Sequence, residues 1–155
     1  MQQCMLQSNK SLIHINVAWE MTDGSDKREI EEGLVLRVKY DSSGLAPAVV
    51  QDVDSGDILM LAYVNEEALR ETIRTRRATF WTRSRQKLWT KGEESGNYLE
   101  VEEVRVDCDQ DALIYRVKML GKGACHTQNK DKSPRRSCFY RRMGGDGQGL
   151  EFISK

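Results

Sequence analysis

Residues 104–115, VRVDCDQDALIY, place three carboxylates and one thiol within five consecutive positions, between two runs typical of buried strands. Carboxylates this close raise one another's pKa unless a cation or hydrogen bonds lie among them. Side-chain alternation along a strand would direct Cys108 to one face and Asp107 and Asp109 to the other, and a turn would bring Asp111 back toward them. Carboxylate oxygens suit Mg²⁺, so the stretch predicts a magnesium site, with a solvated acidic turn as the alternative.

Two further cysteines lie downstream, where Cys125 and Cys138 bracket a basic loop and His126 directly follows Cys125. Together with Cys108, these thiolates would fill three positions of a tetrahedral zinc and leave the fourth open for water. Zinc lowers the pKa of such a water toward ~7, and His126 is then the natural proton shuttle. The spacing contains no C-x-x-C pair, so scattered free thiols remain the alternative.

A stretch rich in tryptophan, arginine and glycine, TFWTRSRQKLWTKGEESGN, occupies residues 79–97. Its Gly and Ser residues beside a lysine can cradle a phosphate, and its aromatic and guanidinium planes can stack on a base. A phosphorylated nucleotide would therefore fit, whereas an edge strand with core tryptophans and snorkelling cations is the plainer alternative. A non-catalytic nucleotide- or RNA-binding module with a structural metal is the competing function. The candidate substrate-binding residues are Trp81, Arg83, Ser84, Arg85, Trp89, Lys91 and Ser95.

The elements that must position these residues are mostly strands. Turn signals separate three strand-like runs at residues 34–40, 46–53 and 57–64, which predicts an antiparallel meander. Residues 65–77 form the clearest helix, because Asn65 can cap its start, glutamates follow, and arginines end it. The class is therefore α+β, a mostly antiparallel sheet with one main helix. Later strand-like runs cover residues 78–85, 87–92, 97–108, 111–120 and 137–142.

Composition excludes several function classes. The chain has 155 residues, and its 24 Lys and Arg balance 24 Asp and Glu, so no global field attracts nucleic acid or a membrane. No apolar run approaches a membrane span and the N-terminus lacks a signal-peptide pattern, which predicts a cytoplasmic protein with reduced thiols. We predict a partly disordered or loosely docked extension over residues 1–32, a catalytic domain over 33–142 and a Gly-rich tail over 143–155.

The motifs GLAPAVVQDVDSGDILMLAYVNEEAL, TFWTRSRQKLWTKGEESGN, DCDQDAL, ACHT and SCFYRR follow one another between about residues 33 and 142. In this combination and order they resemble the phosphoribosyl-AMP cyclohydrolase family, in its stand-alone form. The resemblance implies hydrolysis of the purine N1–C6 bond of 1-(5-phosphoribosyl)-AMP, which gives the formimino carboxamide ribonucleotide in histidine biosynthesis. It also implies a small-molecule nucleotide as partner and no nucleic acid.

The resemblance further implies an intertwined homodimer with zinc at the subunit interface. The zinc ligands would match Cys108 of one chain and Cys125 and Cys138 of the other, and the magnesium ligands would match Asp107, Asp109 and Asp111. His126 is assigned, as a hypothesis, to deliver the proton that the departing ring nitrogen needs. Magnesium is expected to help hold a substrate phosphate.

One segment departs from the family pattern, in which the second and third cysteines are joined by a short CHTG-x-x-SCF connection. Here QNKDKSPRR lies between CHT and SCF, and Gln128 stands where glycine is common. Because these residues are polar and basic with one proline, we expect an exposed loop that leaves Cys138 in place.

Overall fold

The computed structural model describes residues 27–153. In chain order the elements are α1 (Lys27–Glu32), β1 (Ala46–Asp52), β2 (Ile58–Val64), α2 (Glu66–Thr75), β3 (Thr79–Thr82), β4 (Lys87–Thr90), β5 (Leu99–Val106), β6 (Leu113–Met119), β7 (Arg141–Met143) and β8 (Leu150–Phe152). Within residues 27–153, no helix is long and apolar enough to cross a membrane.

A four-stranded sheet in the order β2-β1-β6-β5 forms the centre of the structure. The β1–β2 and β5–β6 pairs are antiparallel hairpins, whereas β1 and β6 run parallel from Ala48 opposite Leu113 to Asp52 opposite Val117. Two-stranded hairpins β3–β4 and β7–β8 complete the strands of the described part. The predicted α+β class with mostly antiparallel sheet and one main helix is confirmed.

The predicted strand over residues 34–40 is wrong. This segment is irregular, because Gln110 satisfies its backbone in place of a neighbouring strand. The Oε1 atom of Gln110 accepts from the Arg37 N–H at 2.7 Å, its Nε2 donates to the Val35 carbonyl at 3.2 Å, and its own carbonyl accepts from the Lys39 N–H at 2.8 Å. The segment is thereby tied to the acidic turn between β5 and β6.

Helix α2 follows the predicted cap. The Asn65 side chain accepts a hydrogen bond from the Ala68 N–H at 2.8 Å, and Arg76 ends the helix in the left-handed conformation with φ 59°. Thr72 on the buried face exchanges hydrogen bonds with the backbone of Thr79, at 3.0 Å and 3.2 Å. The helix therefore fixes β3, the first strand of the hairpin that carries the tryptophan-rich stretch.

An aromatic row links the sheet to that hairpin. The rings of Tyr115 on β6 and Phe80 on β3 lie 5.6 Å apart, and those of Phe80 and Trp89 on β4 lie 5.8 Å apart. Tyr115 and Phe80 are fully buried, whereas Trp89 is half-buried. The core thus ends at Trp89, which remains partly exposed.

Outside the central domain the structure is regular in two places. Residues 27–32 of the predicted extension form α1, which buries no side chain, and the rest of that extension lies outside the described residues. In the predicted Gly-rich tail, Leu150–Phe152 pairs with Arg141–Met143. The strand predicted over 137–142 is correspondingly shorter, since residues 137–140 lie outside any strand.

Candidate active site

The acidic turn between β5 and β6 gathers its carboxylates. Ligand oxygens of Asp107, Asp109 and Asp111 all lie within 4.8 Å of one another. The Asp107 carboxylate accepts the Ala112 N–H at 3.0 Å, and Gln110 takes the left-handed conformation with φ 59°, which closes the turn. As predicted, the turn brings Asp111 back to the other two carboxylates.

The charges in this turn perturb one another. The negative charge of Asp109 is the main cause that raises the pKa of Asp111. For Asp107, partial burial opposes ionisation, but the hydrogen bond from the Ala112 N–H and further hydrogen bonds within the turn lower its pKa. An oxygen-rich site that holds unfavourable negative charge suits a divalent cation.

A cavity of about 520 Å³ lies beside the β3–β4 hairpin, and Cys125 and Cys138 both contribute to its wall. The Cys125 N–H donates to the Arg135 carbonyl at 3.0 Å, and the Cys138 N–H donates to the Leu59 carbonyl at 2.7 Å on β2. Residues 128–132 between the two cysteines are exposed. The lengthened connection therefore loops out and leaves Cys138 beside Cys125, as expected.

The two thiols differ in acidity. Burial opposes ionisation of Cys125, but the hydroxyl of Thr127 at 3.0 Å and its N–H at 3.4 Å outweigh burial and lower the pKa of the thiol. Partial burial, followed by the charge of Cys125, raises the pKa of Cys138 to about 12. Without a cation, then, the site favours one thiolate; a metal ion that binds thiolates would displace the second proton.

Lys91 is the buried cation of this cavity, with only 7% of its surface exposed. Burial lowers its pKa, and the two cysteines act in the opposite direction. Its Nζ atom lies 3.5 Å from the Asn97 carbonyl. The positive charge of Lys91 in turn lowers the pKa of Cys138, against the larger effects of burial and of Cys125.

The loop after Lys91 is held by close backbone packing. Gly92 has φ +97°, and a Cβ atom there would lie 2.5 Å from the Tyr98 backbone nitrogen. The Asn97 side chain accepts the Lys122 N–H at 3.1 Å, which joins this loop to the segment that leads into Cys125. The KGEESGN sequence therefore forms a compact wall for the cavity.

The structure separates the sequence-predicted residues into two groups. The cavity is lined by Cys125, Cys138, His126, Trp89, Lys91 and Ser95, with His126 and Ser95 exposed. The acidic turn and Cys108 do not line this cavity, and Cys108 is exposed. The remaining candidates, Trp81, Arg83, Ser84 and Arg85, also lie outside the cavity wall.

Those remaining candidates have other neighbours. Trp81 pairs with Leu88 across the β3–β4 hairpin, and the Arg83 guanidinium lies 4.1 Å from the centre of the Tyr63 ring. Ser84 is exposed. Arg85 forms an ion pair of 3.8 Å with Glu94. Because Glu94 lines the cavity, Arg85 reaches its rim indirectly.

Sequence reasoning missed several lining residues: Met60, Glu94, Asn97, Gln128 and Pro134. Glu94 and Asn97 lie in the stretch that was predicted to bind a phosphate. That prediction rested on the Gly and Ser residues beside a lysine and not on these two side chains. Met60 comes from β2, far away in the sequence, and no local pattern marks it.

Comparison with known proteins agrees on one family. The sequence profile of the phosphoribosyl-AMP cyclohydrolase family matches residues 60–140. A protein of that name from Hyphomonas neptunium is 52% identical over 132 residues, which cover 85% of this chain and 92% of the relative. The Brucella anthropi relative of the same name is 53% identical over 120 residues, 77% of this chain and 81% of its own. A Rhodopseudomonas palustris relative is 48% identical over 126 residues, 81% and 82% of the two chains.

Proposed function

Because the chain belongs to the phosphoribosyl-AMP cyclohydrolase family of histidine-biosynthesis hydrolases, we propose that it hydrolyses the N1–C6 bond of 1-(5-phosphoribosyl)-AMP. The product is the formimino carboxamide ribonucleotide. We propose further that the reaction requires zinc at the Cys125 and Cys138 thiols. The observation that carries this proposal is the pair of interacting thiols in the wall of a nucleotide-sized cavity that also contains His126 and Lys91.

The donor set fits zinc. The site offers two sulfur ligands, which zinc accepts. A cation that binds thiolates would also reverse the rise in the pKa of Cys138 to about 12. Within residues 27–153 of one copy, no third His, Cys, Asp or Glu side chain joins the pair closely enough to make a three-ligand group. Cys108 is exposed on its turn and remains free to serve a second copy of the chain.

When bound, zinc supplies Lewis acidity, which makes water a competent nucleophile at neutral pH. The chain's own residues then bind the substrate and move the proton. Trp89 offers a ring face to the purine, and Ser95 with the backbone of its loop can hydrogen-bond a phosphate. His126, exposed in the cavity wall, donates the proton to the departing ring nitrogen. The buried charge of Lys91 lowers the pKa of Cys138 and so partly offsets the effects of burial and of Cys125 on that thiol.

The acidic turn is proposed to hold Mg²⁺. Its three carboxylates converge, and the repulsion that raises the pKa of Asp111 is the kind that a divalent cation relieves. Magnesium usually keeps several waters and binds phosphate oxygens as well as carboxylates. Asp107, Asp109 and Asp111 would therefore act on a substrate phosphate rather than on the purine ring.

We propose a homodimer as the active form. Several large apolar side chains are exposed in the described part of the chain, among them Leu61, Val106 and Phe139, which is 52% exposed. Val106 precedes the Cys108 turn, and Phe139 directly follows Cys138. A dimer contact over these positions would bury apolar surface and bring the two sets of cysteines together.

The deciding experiment is turnover of phosphoribosyl-AMP by the purified protein, followed by ultraviolet absorbance before and after zinc is removed by a chelator. We expect activity to disappear with zinc and return when zinc is restored. Cys138→Ser should lose bound zinc. The matched control is Cys4→Ser, which removes the one cysteine that is not a predicted metal ligand, and it should retain both zinc and activity. A folded, zinc-loaded, Mg²⁺-supplemented protein without turnover would refute the proposed reaction.

A further inference from the structure

The connection between Cys125 and Cys138 contains a self-closed hairpin, residues 127–135, which we call the thiol-loop hairpin. The Arg135 N–H donates to the Thr127 carbonyl at 3.0 Å, Gln128 bridges Pro134, and the Asn129 N–H donates to the Ser133 carbonyl at 2.8 Å. Since these bonds lie within the hairpin, they fix the conformation of its tip.

Directly after the base of this hairpin, the Arg136 side chain attaches the connection to the central sheet. Its guanidinium donates to the Asp52 carboxylate and, at 3.1 Å, to the Ser55 hydroxyl. Its Nε atom lies 3.3 Å from the Asp57 carboxylate. Asp52, the last residue of β1, is only 3% exposed. Arg136 thus fastens the connection to the buried end of the central sheet.

Arg136 also lies between the two thiols along the backbone. Its carbonyl accepts the Ala124 N–H at 3.0 Å, next to the bond that holds Cys125. On its other side, the Ser137 hydroxyl donates to the Ile58 carbonyl at 2.7 Å, and Cys138 follows with its bond to β2. The segment that contains Arg136 therefore bonds to the backbone at Ala124 and Cys125 and continues directly into Cys138.

We propose that Arg136, anchored on Asp52, is the positioning residue that sets the separation of the Cys125 and Cys138 thiols for zinc, and that the exposed tip of the thiol-loop hairpin, around Lys130 and Lys132, plays no part in that geometry. The inference rests on the proposed zinc site. Residues that orient metal ligands without touching the metal change metal affinity when they are replaced. A guanidinium suits this task because its rigid fork can engage three oxygen acceptors at once.

The test compares zinc affinities, measured by competition with a chromogenic chelator on full-length protein. Arg136→Gln should weaken zinc binding about 10- to 100-fold. Arg142→Gln is the matched control, because it removes an arginine whose exposed ion pair with Glu151, at 3.2 Å, lies on the β7–β8 hairpin. The double variant Lys130→Ala with Lys132→Ala tests the hairpin tip. Both controls should keep wild-type zinc affinity.

Two further variants separate positioning from simple stabilisation. Asp52→Asn combined with Arg136→Gln removes both partners and leaves no unpaired buried charge, so it should fold, as followed by circular dichroism, yet still bind zinc weakly. Arg136→Lys keeps the charge but not the fork, so it should restore melting temperature more fully than zinc affinity. In Co²⁺-substituted protein, the thiolate charge-transfer band should be weakened by Arg136→Gln.

The outcomes are distinct. Wild-type zinc affinity in folded Arg136→Gln, or in the folded double variant with Asp52→Asn, would overturn the inference while leaving the zinc site intact. An equal loss of affinity in the Lys130→Ala with Lys132→Ala variant would also overturn it, because the hairpin would then share the positioning role. A wild-type protein that binds no zinc would instead overturn the proposed function, and the inference with it.

Discussion

His126 differs from the adjacent Cys125 in one physical respect: it is exposed in the cavity wall, whereas Cys125 is buried. A side chain in that position can exchange protons with solvent between turnovers and still reach a bound substrate. We predict that His126→Ala lowers kcat about 10²- to 10⁴-fold, the usual contribution of a general acid. Zinc content should be unchanged, as measured by elemental analysis of the same preparation.

The matched control for this change is Lys130→Ala, an exposed residue four positions further along in the thiol-loop hairpin. It should retain normal kcat. If His126→Ala turned over substrate at the wild-type rate, His126 would have no role in proton transfer. If the variant lost zinc as well, its effect would be on the metal site rather than on the proton.

Asp111 should make the stability of the protein depend on pH and on divalent cations. Its raised pKa means that the folded state holds this proton more tightly than the unfolded chain does. The stability it contributes is therefore present below the ordinary aspartate pKa and is lost as the pH rises through the raised value. At neutral pH the ionised Asp111 is repelled by Asp109, so Mg²⁺ should raise the melting temperature there, with a smaller rise as the pH is lowered toward the aspartate range.

Asp109 is the charge that causes this effect, so its replacement gives the sharpest test. Asp109→Asn should raise the melting temperature in the absence of divalent cations, because the repulsion on Asp111 is relieved, and should abolish the response to Mg²⁺. Glu102→Gln, which removes an exposed charge from β5, should leave the Mg²⁺ response intact. An undiminished Mg²⁺ response in Asp109→Asn would refute magnesium binding at this turn.

At the scale of elements, the loop from Gly92 to Asn97 depends on two glycines for different reasons. Both have positive φ, +97° and +72°, but a Cβ at Gly96 would meet nothing within 4 Å whereas one at Gly92 would overlap the Tyr98 nitrogen. Gly96→Ala should therefore lower the free energy of unfolding only by the cost of placing alanine in the left-handed conformation, about 1–2 kcal/mol. Gly92→Ala should lower the free energy of unfolding by a further ~1–3 kcal/mol, the usual cost of overpacking.

Urea denaturation of the two variants measures this difference directly. Because Lys91 precedes Gly92, Gly92→Ala should also displace the buried cation and reduce activity, whereas Gly96→Ala should keep most of it. Equal destabilisation by both substitutions would show that the close approach of Gly92 to Tyr98 is not what holds the loop.

The elements that sequence could predict are those set by neighbouring residues. Helix α2 has its cap at Asn65 and the β5–β6 hairpin has its turn signals at Asp107 and Asp111, all within a few positions of the element. Residues 34–40 have a strand-like pattern as well, but their backbone hydrogen-bond partners come from Gln110 and not from a neighbouring strand. A local sequence pattern indicates only a conformational preference, and here hydrogen bonds from a residue distant in the sequence determine the conformation.

Contacts between distant segments were the least predictable part of the site. The parallel pairing of β1 with β6 and the contribution of Met60 to the cavity depend on the assembled sheet. The approach of Cys138 to Cys125 likewise depends on the backbone bonds from Ala124 and Cys125 to Arg136 and Arg135, and on the ion pair between Arg136 and Asp52. The residue types indicated which chemistry to expect, and tertiary contacts determined which residues meet.

At the scale of the whole molecule, one copy of the chain separates the three cysteines proposed to share zinc. Cys125 and Cys138 lie in the cavity wall, while Cys108 lies exposed on the acidic turn outside it. Each copy would thus carry two partial sites, and two copies related by a two-fold axis would complete both at once. Cys108→Ser and Cys125→Ser should each abolish activity when present in both copies.

Combining these two variants in one dimer tests whether the site is shared. A heterodimer of one Cys108→Ser chain and one Cys125→Ser chain, isolated through two different affinity tags, has one intact site and one site that lacks both cysteines. It should therefore show about half of the wild-type activity per dimer, since a two-fold dimer holds two equivalent sites. A chain with both substitutions, paired with a wild-type chain, is the matched control and would leave no intact site, because each site needs cysteines from both copies. Activity in that control together with an inactive heterodimer would place all three ligands within one chain and would refute a shared site.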